Sequence, residues 1–179
     1  TAEDLLAFSE VGWDSNYMDA AYRLTENIDL GENTWNPVGS NGPPFSGTFD
    51  GNGKTITLRK IADSRNMGLF GSTDRRSSIK NLTVSGQISK IISSAEEACF
   101  GLVAARGEGS IENCITEGSV DLSVNCPGNF YFGGAAGRLW GRIDSMINKA
   151  DLTIKISGGD RLIMGGITGD AMGKEAGIF

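Results

Sequence analysis

Met67-Gly68-Leu69-Phe70-Gly71 returns as Phe100-Gly101-Leu102-Val103-Ala104, again as Phe132-Gly133-Gly134-Ala135-Ala136, and a fourth time as Met164-Gly165-Gly166-Ile167-Thr168. The anchor glycines Gly68, Gly101, Gly133 and Gly165 lie 33, 32 and 32 residues apart. Positions well away from the glycine keep the same step. Ile79, Ile111 and Ile143 match, as do Asn81, Asn113 and Ser145, then Leu82, Cys114 and Met146, and Ile88, Val120 and Leu152. Gly86, Gly118 and Ala150 mark one more shared small position. Agreement at so many positions under one constant offset is an internal repeat, and a period of roughly 20–50 residues means a stacked or radial array.

Inside each unit the apolar residues do not recur at the helical period. They alternate in short runs such as Leu82, Val84 and Ile88, or Leu152, Ile154 and Ile156, the pattern of strands with one buried face. Gly, Asn and Ser interrupt the runs, so one unit reads as about three short strands joined by turns. A propeller blade would want four antiparallel strands and about 40 residues or more. A coil of parallel β-helix needs fewer and sets each strand about 4.8 Å above its counterpart. The fold expected is therefore all-β, a right-handed parallel β-helix with coils of about 32 residues. Ile79, Ile111 and Ile143 then form an aliphatic ladder inside the tube. Phe70, Val103, Ala135 and Ile167 form a second, and Leu82, Cys114 and Met146 a third. Asn81 and Asn113 are read in two ways: as stacked amides bonded along the axis, or as turn residues tolerating left-handed angles.

Working outward, Thr1-Ala2-Glu3-Asp4 followed by Leu5, Leu6, Ala7 and Phe8 reads as a capped helix that stops by Gly12 and plugs the open end of the bore. Tyr22 to Leu24 and Ile28 to Leu30 read as short strands. Asp50-Gly51-Asn52-Gly53 reads as a tight turn feeding a strand from Thr55 to Leu58. A calcium loop is the sharper alternative there, but the spacing lacks the alternating acids and the distal glutamate. The layout is one domain over 1–179: a helical cap at 1–12, irregular first coils at 20–66, regular repeats at 67–98, 99–130 and 131–163, and an incomplete final repeat at 164–179. No capping element is visible at that end, and the parent chain is expected to continue.

Glycine occurs 26 times in 179 residues, about twice ordinary usage, whereas proline occurs only 4 times, so neither collagen nor a disordered chain fits. A net charge of −6 argues against nucleic acid as a partner, because a phosphate-binding surface needs clustered cations and no basic run is longer than two residues, as in Arg75-Arg76. No run of about 18 apolar residues exists, so no membrane insertion is expected within this segment. Three cysteines, Cys99, Cys114 and Cys126, leave at least one unpaired, and their spacing resembles no metal motif.

Trp35-Asn36-Pro37-Val38-Gly39, Phe45 to Ile56, Gly68-Leu69-Phe70-Gly71 and Ile79-Lys80-Asn81-Leu82 together resemble the GLUG-motif repeat proteins, bacterial surface and adhesin-like chains. The resemblance covers nearly the whole chain, most specifically from Gly47 to Ile56, and loosens in later units. It implies a parallel β-helix, export to the cell surface or medium, and a role in adhesion or as a spacer. Similar repeats occur in the non-catalytic N-terminal regions of large secreted metallopeptidases such as IgA proteases. The family has no shared catalytic residues.

The chain has no histidine, which removes Ser–His and Cys–His pairs and the commonest general base and metal ligand. No catalytic residue, metal ligand or cofactor is assigned. The enzymatic rival is a glycosidase, which would need two carboxylates facing each other over a groove, or a polysaccharide lyase, which would need an Arg or Lys base beside a cluster of Asp residues holding calcium. Glu112, Glu117, Asp121, Asp144 and Asp151 instead occupy mostly different repeat positions and read as solvated charge. For binding, Trp140 falls in a slot that holds Arg76 and Glu108 in earlier units, so it is expected at the surface, able to stack on a sugar ring or a partner protein. The alternative is an indole folded back over a neighbouring coil. Phe130 and Tyr131, in Gly128-Asn129-Phe130-Tyr131, are expected in an inter-coil loop where recognition residues often sit. Trp13 and Trp35 are expected to pack near the cap. The partners expected are a glycan or a host surface protein.

Overall fold

The computed structural model describes residues 1–11, 14–93, 97–158, 161–172 and 177–178. They form a parallel β-solenoid of about four turns with a short N-terminal helix. The tube has three faces. The long face carries Thr48–Leu58, Ser78–Ser93, then Ser110–Glu112 with Ile115–Asn125, then Arg142–Asp144 with Ile147–Asn148 and Asp151–Gly158. The first short face stacks Asn66–Met67, Ala98–Gly101, Asn129–Gly133 and Arg161–Gly165, and the second stacks Phe70–Thr73, Ala104–Gly107, Ala136–Leu139 and Thr168–Ala171.

The 32-residue offset is the register. Ile111 pairs with Ile79 on one side and Ile143 on the other, and all three are buried. Val120 sits between Ile88 and Leu152 in the same way. Burying each such side chain is worth roughly 1.5–3 kcal/mol. On the first short face, Phe100 and Phe132 stack with centroids 5.6 Å apart. One expected ladder is corrected. Phe70 pairs with Ala104, not Val103, because Met67 pairs with Phe100 and the second unit has one more residue between these register partners than the first, its strand on the first short face running on to Gly101. Val103, Ala135 and Ile167 do lie over one another, linked by Val103 N–H to Ala135 O at 3.0 Å and Ala135 N–H to Ile167 O at 2.8 Å.

Both readings of the asparagines hold together. Asn52, Asn81, Asn113 and Ser145 all have positive φ, between 50° and 53°, and bend successive rungs of the long face at one corner. Asn113 Nδ2 donates to Asn81 Oδ1 at 2.8 Å, and Asn81 Nδ2 donates to Asp50 Oδ1 at 3.0 Å. The column runs along the outside, with Asn81 partly buried and Asn113 exposed. It begins at Asp50-Gly51-Asn52-Gly53, which is not a turn between strands but an irregularity inside the single strand Thr48–Leu58, where the register shifts between Asp50 and Lys54. The Asp50 carboxylate is occupied there by Asn81 and the Asn52 N–H, and these hold it below the usual carboxylate range.

The helix Ala2–Glu10 starts in a capping box between Thr1 and Asp4 and ends before Val11. Its Phe8 ring lies 4.4 Å from Tyr22, 6.2 Å from Phe45 and 6.4 Å from Phe49, closing an aromatic stack that continues to Phe70. A second short helix, Ser15–Met18, had no sequence signal. Trp35 is fully buried and donates to Leu69 O at 2.9 Å, whereas Trp13 lies outside the described residues. At the other end the inward-facing row loses its cover, so Ile156, Leu162 and Met164 are exposed although their partners one coil back, Val124, Phe130 and Phe132, are buried. All three cysteines are buried thiols.

Candidate functional site

The two short faces meet at a two-residue corner and fold against each other. Their approach is close enough that a Cβ on Gly137 would stand 2.8 Å from Phe100 O and 2.9 Å from Phe100 N, so only glycine fits there. Cys99 and Tyr131 on one face and Ala105 on the other fill the seam as a small apolar cluster outside the main core. This seam brings together residues that are far apart in sequence.

A column in strict register runs beside it: Ser72, Arg106, Arg138 and Asp170. Arg138 is the hub. Its guanidinium carbon lies 4.6 Å from the centroid of the Tyr131 ring and 4.5 Å from that of Trp140, while Arg106 lies 5.5 Å from Trp140 on the coil before. Such cation–ring contacts are worth about 0.5–2 kcal/mol, rising with desolvation. Two carboxylates, one coil to either side, approach the same guanidinium: Glu97 Oε1 is 3.3 Å from Nη1, and Asp170 Oδ2 is 3.3 Å from Nε. The second contact is an ion pair whose angle is poor for a hydrogen bond, leaving Nε buried without one. Arg106 has no carboxylate partner among the described residues.

Trp140 is therefore partly covered rather than fully exposed, with two arginines over its ring. Phe130 and Tyr131 are corrected more sharply. They belong to the strand Asn129–Gly133, not to a loop, and both are buried, Phe130 inside the main core and Tyr131 in the seam under Arg138. Phe130 is therefore a packing residue. The cluster as a whole escaped the sequence reading, although a signal existed: Arg106 and Arg138 are 32 residues apart, one repeat, just like the apolar ladders.

Two hollows flank Trp140 and Arg106. One, of about 460 Å³, is lined by Arg75, Arg76, Ser77, Ser110, Trp140 and Arg142, among others. The other, of about 670 Å³, lies between the Ser40–Asn41 loop, the 64–66 segment, Glu97, Cys99 and Arg106. Burial, with the Glu97 charge adding to it, pushes the Cys99 thiol up to about 12, so it stays protonated and is no nucleophile at neutral pH. Among the described residues no group of three or more Cys, Asp and Glu is placed to hold a metal ion, and no helix is long and apolar enough to cross a membrane.

No family model, curated protein or solved structure matches this chain. The functional reading therefore stands on the site and on the motifs.

Proposed function

We propose that this chain is a non-catalytic binding or display module of a bacterial surface or secreted protein, holding a glycan or a host protein on the side marked by Trp140. One observation carries the proposal: the Arg106–Trp140–Arg138–Tyr131 stack, set on rigid strands, with a hollow on each side. Planar rings and guanidinium groups held in place lose little entropy on binding, and Trp, Tyr and Arg are the residues that most often dominate interfaces. The GLUG-like motifs support export and adhesion.

The rival, a fragment of a carbohydrate-active β-helix enzyme, has Glu97 and Asp170 in its favour, since they converge from separate coils. Both are already engaged by Arg138, whereas hydrolysis needs one carboxyl group to protonate a leaving group and another to attack or to activate water. Binding is thus the better use of this geometry.

A glycan-array and host-protein binding screen with wild type and Trp140→Ala tests the proposal. Loss of a stacked indole at the centre of a contact weakens binding at least about tenfold. Binding that is absent in the wild type, or unchanged in the variant, contradicts it, and turnover of an arrayed polysaccharide favours the rival.

A further inference from the structure

We infer that the hollow beside Arg106 is a binding site for a saccharide bearing one anionic group, with Arg106 taking the anion. This rests on the ligand-binding reading above and names the chemistry of what is bound.

The volume, about 670 Å³, falls within the usual range for small-molecule pockets. Its lining is polar: Ser40, Asn41, Ser64 and Asn66 bring hydroxyl and amide groups that donate and accept, as sugar hydroxyls require. Among the described residues it has no apolar recess that would anchor a peptide side chain. The walls are held in place before any ligand arrives. Ser64 Oγ donates to Asn66 O and accepts from Asn66 N–H, and Cys99 N–H donates to Arg65 O at 2.7 Å, tying the 64–66 segment to the first short face.

The charges point to one anion rather than several. Among the described residues, Arg106 lines the hollow without a carboxylate partner, and the one carboxylate in the wall, Glu97, already has its Oε1 3.3 Å from Arg138. Along the column the two arginines have different neighbours. Arg138 has Asp170 as its partner on the next coil and Glu97 beside it, while Arg106 has Arg138 on one side and the neutral Ser72 on the other. Arg106 is thus a cation kept in position over Trp140, without a carboxylate partner among the described residues, at the wall of a polar cavity. A carboxylate or sulfate on a sugar supplies the acceptor it lacks. A polyanion is disfavoured by Glu97 in the wall and by the net charge of −6 on the chain.

Isothermal titration of the folded chain separates the possibilities, using disaccharides that carry one hexuronate, their neutral counterparts and their 6-O-sulfates. An acidic disaccharide is expected to bind at least about tenfold tighter than its neutral counterpart. Arg106→Gln abolishes that preference and Arg106→Lys keeps part of it, with unchanged melting curves showing that both variants fold. Comparison of uronate with sulfate identifies which anion is preferred. Equal binding of acidic and neutral sugars, or a preference that survives Arg106→Gln, overturns the inference. Neutral-glycan binding that depends on Trp140 but shows no preference for acid overturns this inference and leaves the ligand-binding reading standing, and no binding to any glycan or host protein overturns both.

Discussion

Replacing Asn81 separates the two contributions that meet at the outer corner of the long face. Its side chain joins Asp50 to Asn113 through two hydrogen bonds, at 3.0 and 2.8 Å, and its backbone has φ 53°. At about 0.5–1.5 kcal/mol each, and in the lower half of that range because the site is partly exposed, the two bonds contribute about 1–2 kcal/mol. Asn81→Gly loses these bonds and adds the entropy of a freer unfolded chain, about 0.5–1 kcal/mol, for a total near 2 kcal/mol. Asn81→Ala loses the same bonds and must hold a Cβ in the left-handed region, at about 1–2 kcal/mol, for a total near 3 kcal/mol. For a chain of this size 1 kcal/mol moves the melting temperature by roughly 2–4 °C. Urea unfolding followed by circular dichroism, with thermal melts alongside, should rank wild type above Asn81→Gly and Asn81→Ala last. If alanine proves at least as stable as glycine, the left-handed corner is not where the structure puts it. If both variants stay within about 0.5 kcal/mol of wild type, the amide column contributes nothing.

Two further outcomes are expected. Ile111→Ala, emptying a fully lined place between Ile79 and Ile143, costs about 2–5 kcal/mol in the same assay, while Ile91→Ala at a site 74% exposed changes stability by less than about 0.5 kcal/mol; similar values for the two would contradict the inside–outside assignment of the long face. In acid, stability should fall below about pH 4. Asp29 is held below the ordinary 3.8 by Arg59, Asp50 by Asn81, Asp63 by Lys90 and Asp74 by the Arg76 N–H, and Glu32 below 4.5 by Lys60, so their contribution is present above those unfolded values and is lost as pH drops through the lower native ones. With no histidine, the melting temperature should stay flat between pH 5 and 7, and a flat profile down to pH 3 would refute the assignment.

The coil, its length and most of its ladders were legible because in-register stacking maps a constant sequence offset directly onto neighbouring strands. Ile79, Ile111 and Ile143 show this plainly. Legibility failed where the tube turns. At the corner between the short faces, residues on both sides of the bend are buried, so alternation no longer says which residue pairs, and the repeat alone matches Phe70 to Val103, one place early. Phe130 and Tyr131 read as a loop because Pro127 and Gly128 precede them; two adjacent aromatics are equally natural in a strand buried on both faces, here with Phe130 in the core and Tyr131 in the seam. The Arg138 cluster, beyond the one-repeat spacing of Arg106 and Arg138, was hidden for a different reason. Its members come from positions 97, 106, 131, 138, 140 and 170, and only folding of one short face onto the other makes them neighbours.

The stacking itself is open to a direct test by cross-linking on the exposed side of the long face. Gln87 and Ser119, 32 residues apart, are register partners on adjacent parallel strands, about 4.8 Å apart and within the reach of a disulfide. Gln87 and Asp121 are slipped by two residues, which adds about 6.6 Å along the strand and puts them out of reach. Under mild oxidation, Gln87→Cys with Ser119→Cys should form a disulfide within one chain, seen by mass spectrometry of tryptic fragments, and Gln87→Cys with Asp121→Cys should not. Efficient closure of the slipped pair, or failure of the matched one in a folded protein, would contradict a solenoid whose coils stack one repeat apart.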